Sequence, residues 1–236
     1  MPHYLPMWSS RVRTAATYAV GGSELRLSIP PEQGLWCAPD HDPPLRVSGI
    51  HSGPVGSTAG QQPFRDGLTV REYQPAVWGW TPLLGHIEVL ARMELSPRSM
   101  AAVWMVGLER EPEQCAEICI FEVFGDALEV RDGQPTAAVG MGVHPFRDPA
   151  ITDEFGAERL PIDVAEPHVY AADWRPGQID FLVDGARVKT VPQAPDYPMQ
   201  MMVAVFDFPE RAGSAPAGHE PVLAVDHVRG PASAEL

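Results

Sequence analysis

Turn-forming residues fall too densely along this chain to leave room for long helices: 26 prolines and 21 glycines are scattered through 236 residues. Proline has no N–H to donate and clashes with the preceding turn, and glycine weakens a helix interior, so helical patterns are cut short. Between the breaks lie short runs rich in β-branched and aromatic residues, at 24–29, 85–93, 101–106, 116–124, 127–131, 137–144, 169–174, 179–183, 199–206 and 222–228. Such runs predict strands. Across 23–29, Leu25, Leu27 and Ile29 take every second position, which gives one buried face and one wet face. Asp132-Gly133 and Asp184-Gly185 stand between strand-like runs and predict tight hairpins, because glycine supplies the positive φ these turns require. Many short antiparallel strands predict an all-β fold, a two-sheet sandwich or jelly roll. A chain of this length is expected to form one such domain over 1–236.

Charge and composition narrow the partners. With 17 Lys+Arg against 31 Asp+Glu the formal net charge is -14, which repels a nucleic-acid backbone and suits a neutral substrate. No apolar run approaches the roughly 18 residues of a membrane-spanning helix, so neither a nucleic-acid nor a membrane partner is expected. The run 199–206 is interrupted by Gln200 and has the length of a buried strand. The first residues carry Arg11 and Arg13 in a mixed segment without a continuous apolar stretch, so no secretory signal is visible. The expectation is a cytoplasmic monomer by default, or a chain whose leader was removed before this numbering begins. Cys37, Cys115 and Cys119 match no metal-finger spacing and no dense disulfide framework. Cys115 and Cys119, four residues apart on one predicted strand, would lie about 13 Å apart at roughly 3.3 Å per residue, beyond the roughly 7 Å limit of a bridge. Three free thiols are expected. Residues 30–62, crowded with Pro, Gly, Ser and His, predict a long excursion that borders a site, and 210–221 predicts a mobile segment before the last strand.

The chemistry concentrates at 117–122. In a regular strand Glu117 and Cys119 share one face, Ile118 and Ile120 the other, and Glu122 would fall on the apolar side. One extra residue, a β-bulge near Ile120 or Phe121, would return Glu122 to the face of Glu117, with Cys119 between them. Two carboxylic acids on one sheet face are what retaining glycoside hydrolysis needs: one attacks the anomeric carbon and the other protonates the leaving oxygen, roughly 5 to 5.5 Å apart. A solvated pair of strand glutamates is the plainer alternative.

The run Glu117, Cys119, Glu122 resembles the Glu-x-Asp-x-x-Glu signature of glycoside hydrolase family 16, with the central Asp replaced by cysteine. The flanks agree in order. Gly85, Glu88 and Arg92 resemble the family's Gly-x-x-Glu-type strand, and Ala102 to Trp104 resembles its Pro-Ala-Phe-Trp strand. His168, Tyr170 and Trp174 with the hairpin at Asp184-Gly185, the strand at Pro198, and the closing strand through Asp226 and Arg229 are similar to the segments that follow. Together these cover residues 80 to 230, and the first 80 match only loosely.

The resemblance implies a concanavalin A-like β-jelly roll that acts on a β-linked polysaccharide or oligosaccharide, a glucan or galactan, by retaining double displacement. It implies that Glu117 is the nucleophile and Glu122 the general acid/base, and that Cys119 stands where the family places an Asp beside the nucleophile. A neutral thiol supplies neither the like charge nor the shared proton of that Asp, so the replacement implies activity weakened, altered or lost. Trp104 would stack on a sugar ring, Trp78 and Trp80 would line one face or rim, and His144 would hydrogen-bond a substrate hydroxyl. His168 and Trp174 read as fold determinants. No cofactor is required; a structural Ca²⁺ is implied at Asp226 alone. The rivals are an inactive carbohydrate-binding module on the same fold and a metal site built from Glu117, Cys119, Glu122 and His144.

Overall fold

The computed structural model describes residues 1–38, 41–54, 56–61, 69–211, 213 and 218–234. Two antiparallel sheets face each other across an apolar core. The first runs in the order β1 (Thr17–Gly21), β2 (Glu24–Ser28), β14 (Val222–Arg229), β4 (Gly85–Glu94), β10 (His168–Arg175), β11 (Gln178–Val183), β12 (Ala186–Val191). The second runs β3 (Arg46–His51), β13 (Met199–Asp207), β5 (Ser99–Gly107), β6 (Glu117–Phe124), β8 (Gln134–His144), β7 (Leu128–Arg131), and β9 (Glu154–Leu160) also pairs with β8. This is the jelly-roll sandwich the turn-rich sequence predicts. No helix among the described residues is long and apolar enough to cross a membrane.

Each sheet buries one face of its alternation. On β4 the side chains of Ile87, Val89, Ala91 and Met93 enter the inter-sheet core, while His86, Glu88 and Arg92 point away from it. Both Asp-Gly pairs close hairpins with two successive positive φ values, Asp132 and Gly133 at 51° and 76°, Asp184 and Gly185 at 49° and 77°. That twist matches the strands they join.

Four strands lie outside the predicted runs: β1, β3, β9 and β12. β3 falls inside the stretch 30–62, which is therefore only partly an excursion; it forms the edge strand beside β13. Residues 39–40, 55 and 62 of that stretch, and 212 and 214–217 of the segment expected to be mobile, lie outside the described residues.

The second sheet carries a separate apolar cluster on its outer, cleft-side face. Trp8, Trp36, Cys37, Leu45 and Val47 pack there against Met100, Ala102, Cys119, Ala204 and Phe206. The amino-terminal third thus covers part of a face that would otherwise be an open trough, and leaves a cavity beside it.

Candidate active site

Strand β6 holds the acids on the cleft side through a bulge at Ile120. Its register with β5 pairs Glu117 with Val106 and Cys119 with Trp104, then slips so that Phe121 faces Val103 and Glu122 faces Ala102. Ile120 is the extra residue. Ile118, Ile120, Phe121 and Val123 all enter the inter-sheet core, and Cys119 joins the cleft-side cluster. Burying these four apolar groups of the strand in the sandwich is worth roughly 1.5–3 kcal/mol each, which fixes the register that presents the acids. The entry to β6 is pinned from outside. The Ala116 amide donates to Tyr197 Oη at 2.9 Å, and that hydroxyl donates to Asp148 at 2.7 Å.

The neighbouring strand β8 makes room with two glycines. A Cβ on Gly140 would sit 2.5 Å from the Phe155 ring, and Gly142, at a φ of 144°, faces the Glu154 carbonyl at 2.2 Å from such a Cβ. Phe155 therefore lies against the sheet beside Glu122, and the His144 ring stacks on it with centroids 4.7 Å apart.

The acids feel burial more than any other influence. Burial pushes the Glu117 carboxyl up to about 8, with the charge of Glu122 adding to the rise and a hydrogen bond from the Trp104 indole opposing it. Glu122 is also raised by burial, and His144 and the Cys119 thiol pull it back. Each acid disfavours ionisation of the other, so the pair loses its protons in two separated steps that belong to both. Glu117 is the one held protonated up to about pH 8, so it can act as a carboxylate only after that proton has passed on.

Cys119 is fully buried, and burial with the two carboxylates raises its thiol, so it stays neutral. The charges of both Glu117 and Glu122 act on it, with a hydrogen bond to Glu122, while Glu117 takes its hydrogen bond from Trp104. All three cysteines are free and buried. Cys115 precedes β6 instead of lying on it, and its sulfur accepts the Arg147 amide at 3.2 Å.

A cavity of about 470 Å³ opens beside Glu117, lined among others by Trp104, Tyr4, Met202, Gln200 and His51; Glu122 is not among its lining residues. Its size is that of a small-ligand site. Trp104 lines this cavity, buried to 7% exposure in the cleft-side apolar cluster and bonded through its indole to Glu117. His144 is brought to the site, but its Nδ1 is taken by Asp153 at 2.9 Å.

Trp80 is a correction. Its indole donates to the Pro231 carbonyl at 2.7 Å and its ring packs on Gly230 and the inter-sheet core, so it is an anchor for the carboxy-terminal segment outside the cavity lining. Trp78, 54% exposed, does not line the cavity either. Asp226 does not fit a Ca²⁺ site. Its carboxylate accepts from Ser23 Oγ at 3.0 Å and meets His227 Nδ1 at 3.1 Å, so its neighbours offer donors where Ca²⁺ needs a cage of oxygens. Among the described residues no group of three or more His, Cys, Asp or Glu is placed to hold a metal ion, including Glu117, Cys119, Glu122 and His144.

Tyr4, Gln200, His51 and Phe155 were not singled out as site residues from the sequence. Only Gln200 carried a local signal, as the polar residue inside an apolar strand.

A two-sheet sandwich carrying two acids on a bulged strand, one of them lining a cavity, is an arrangement compatible with two-carboxylate glycoside chemistry. The chain matches the family model "Glycosyl hydrolases family 16" over residues 83–217 and belongs to that family. Its fold is similar to that of a GlcNAcα1-4Gal-releasing endo-β-galactosidase from Clostridium perfringens, with a TM-score of 0.79 and 24% identity over 98% of this chain and 57% of the other. This chain therefore spans little more than half of that structure. Similar too are the catalytic domain of an endo-1,3-β-glucanase from Thermotoga petrophila (TM-score 0.52, 18% identity, 78% of this chain and 76% of the other) and the β-glucanase of Bacillus licheniformis (0.56, 17%, 90% and 81%). These likenesses establish the fold. A search of curated proteins found no match.

Proposed function

We propose that this chain is a retaining endo-β-glycosidase, acting on a β-linked galactan or glucan as one jelly-roll domain. One observation carries the reading: the bulge at Ile120 turns Glu117 and Glu122 to the same face of β6, with Glu117 lining a cavity and burial raising both acids. Glu117, lining the cavity with Trp104 as its orienting donor, attacks the anomeric carbon as a carboxylate once its proton has passed to Glu122. Glu122 gives its proton to the departing glycosidic oxygen, and the C–O bond to the leaving sugar breaks as the bond to Glu117 forms. Water, deprotonated by Glu122, then releases the glycosyl group from Glu117 and restores both acids.

Trp104 offers a ring face to the apolar face of the pyranose at the scissile position. His144, stacked on Phe155 and paired with Asp153, keeps a polarisable ring beside Glu122 and favours its charged form as the proton leaves. A galactose-containing substrate heads the list to test, in view of the named activity of the Clostridium perfringens relative. The reaction needs no metal or organic cofactor for its proton and bond inventory. The protein is proposed to act as a monomer, on neither nucleic acid nor membrane.

Cys119 favours a second reading, a binding module without turnover, because the thiol replaces a group that the family's signature supplies as an acid. Release of reducing ends from a panel of β-galactans and β-glucans tests the choice. Turnover abolished by Glu117→Gln supports the enzyme; binding without turnover across the panel supports the module.

A further inference from the structure

The cavity has a second polar feature that the hydrolytic step does not use. Gln200 lies on β13 in the cross-strand row Glu117, Val106, Gln200, two strands from the nucleophile, or about 10 Å at roughly 4.8 Å per strand. His51 lies one strand further, on β3, in the row of Cys119, Trp104 and Met202. Both are deeply buried, at 8% and 2% exposure, and both line the cavity. His51 Nδ1 and Gln200 Oε1 are 3.2 Å apart. With the amide oxygen as acceptor, Nδ1 carries the ring proton and Nε2 is a bare acceptor. That Nε2 is buried and has no hydrogen-bond partner among the described residues. A buried acceptor left in this state costs about 1–3 kcal/mol, which a ligand donor would recover.

The cavity is also lined by apolar groups, Leu5, Met7 and Met202, the last opposite His51 in the pairing of β13 with β3. An acceptor, the amide donor of Gln200 and apolar lining in one cavity match the three parts of an N-acetyl group: N–H, C=O and methyl. A plain sugar hydroxyl would use the polar pair and leave the apolar lining without a partner.

We propose that Gln200 and His51, with Met7 and Met202, form a subsite for the acetamido group of a 2-acetamido sugar placed one unit beyond the pyranose that lies over Trp104. The placement of that unit rests on the glycosidase reading; the subsite itself is a matter of binding. Burial holds the His51 ring well below its usual range, at about 4, so Nε2 stays an acceptor throughout the neutral region.

The test is calorimetric binding to the Glu117→Gln form, which cannot turn the ligand over. The probes are two disaccharides with galactose at the reducing end, one bearing N-acetylglucosamine and the other glucose at the non-reducing end, each in both anomeric forms. The expected result is binding at least tenfold tighter for an N-acetylglucosamine form than for its glucose counterpart, with the ratio falling to near one on adding Gln200→Met or His51→Leu. A ratio near one in the Glu117→Gln form overturns the proposal, as does a ratio that survives both added substitutions. The first comparison needs no change at Gln200 or His51, so a misfolded variant cannot shelter the idea. Failure of the glycosidase reading shows differently, as a retained preference with no release of reducing ends by the unaltered protein.

Discussion

Acidic side chains gather on both outer faces of the sandwich, and their surroundings drive them in opposite directions. On the face of the first sheet that points away from the core, Asp173, His86, Glu88, His227 and Asp226 form a linked row across β10, β4 and β14. His86 bonds Asp173 at 2.5 Å and Glu88 at 3.5 Å, and His227 bonds Glu88 at 3.2 Å and Asp226 at 3.1 Å. Asp173 holds His86 above the usual histidine range, and His227 with Ser23 holds Asp226 below the usual carboxylate range. Glu88, which slight burial pushes upward, is drawn below its usual range by His86, His227 and Arg229. On the cleft face the same residue type is raised, because Glu117 and Glu122 lose water and gain one indole, one thiol and one imidazole between them instead of a set of cations. Desolvation with too few counter-charges is what makes an acid available at neutral pH; a rich supply of partners makes a solvated structural row.

Removing the cleft acids gives the largest expected effect. Glu117→Gln lowers the rate on a cleaved β-glycan by several orders of magnitude, and Glu122→Gln by about 10²–10⁴-fold, whereas Glu88→Gln on the opposite face leaves turnover unchanged. Initial rates of reducing-end release decide it; comparable losses at Glu88 and Glu122 would erase the contrast between the faces. Next in size is Cys119→Asp, expected to raise the rate by about tenfold or more, since it restores a second exchangeable proton beside Glu122 and hence a stronger acid–base partner than a thiol. The two forms bind oligosaccharide alike, because the change lies at the reacting centre. Unchanged or lower turnover, with the fold intact by circular dichroism, counts against a limiting role for the thiol.

Stability against pH sharpens the comparison further. Glu117 has a folded pKa raised above its unfolded one, so the native state binds its proton more tightly. The resulting stabilisation is complete below the unfolded value near 4.5 and is lost as pH rises through about 8. Glu117→Gln removes this dependence, and the variant should gain on the parent by roughly 1–4 kcal/mol between pH 5 and pH 8. Urea unfolding at the two pH values measures it, and a parent protein no less stable at pH 8 than the variant would contradict a buried acid. The smallest effect belongs to the exposed row. His86 also has a raised folded pKa, so its contribution is present below about 6.5 and fades as pH rises through the folded value. Because that histidine is half exposed, His86→Gln should cost within about 1 kcal/mol at pH 5 and less in high salt. A larger, salt-insensitive loss would mean that the outer row is a buried network.

Much of this was legible in the sequence because it is local. Alternation along β2, the Asp-Gly hairpins and the mismatch of Glu122 with strand parity each follow from a few consecutive residues; the last of these called for a bulge near Ile120 or Phe121, and the register puts it at Ile120. The four missed strands lack that signal. β1 is exposed throughout, β9 carries Gly156 followed by exposed Ala157 and Glu158, β3 carries Ser48 and Gly49, and β12 ends the sheet with little buried surface. Their strand character comes from the neighbour they pair with. The site divides the same way. Glu117, Cys119 and Glu122 sit on one strand and could be read together, whereas Tyr4, His51 and Gln200 reach the cavity from three separate segments. Trp80 failed as a site residue because an aromatic beside a turn gives no sign of which face will take it; its indole found the Pro231 carbonyl.

The central claim, that Glu117 and Glu122 work as an attacking carboxylate and a protonating acid, is tested most directly by the configuration of the first-formed product. Proton NMR of the newly released reducing end, recorded before mutarotation, should show the β-anomer growing first from a β-linked substrate, as two inversions in succession require. An α-anomer appearing first would contradict the account, because it would mean that water and not Glu117 attacks the anomeric carbon.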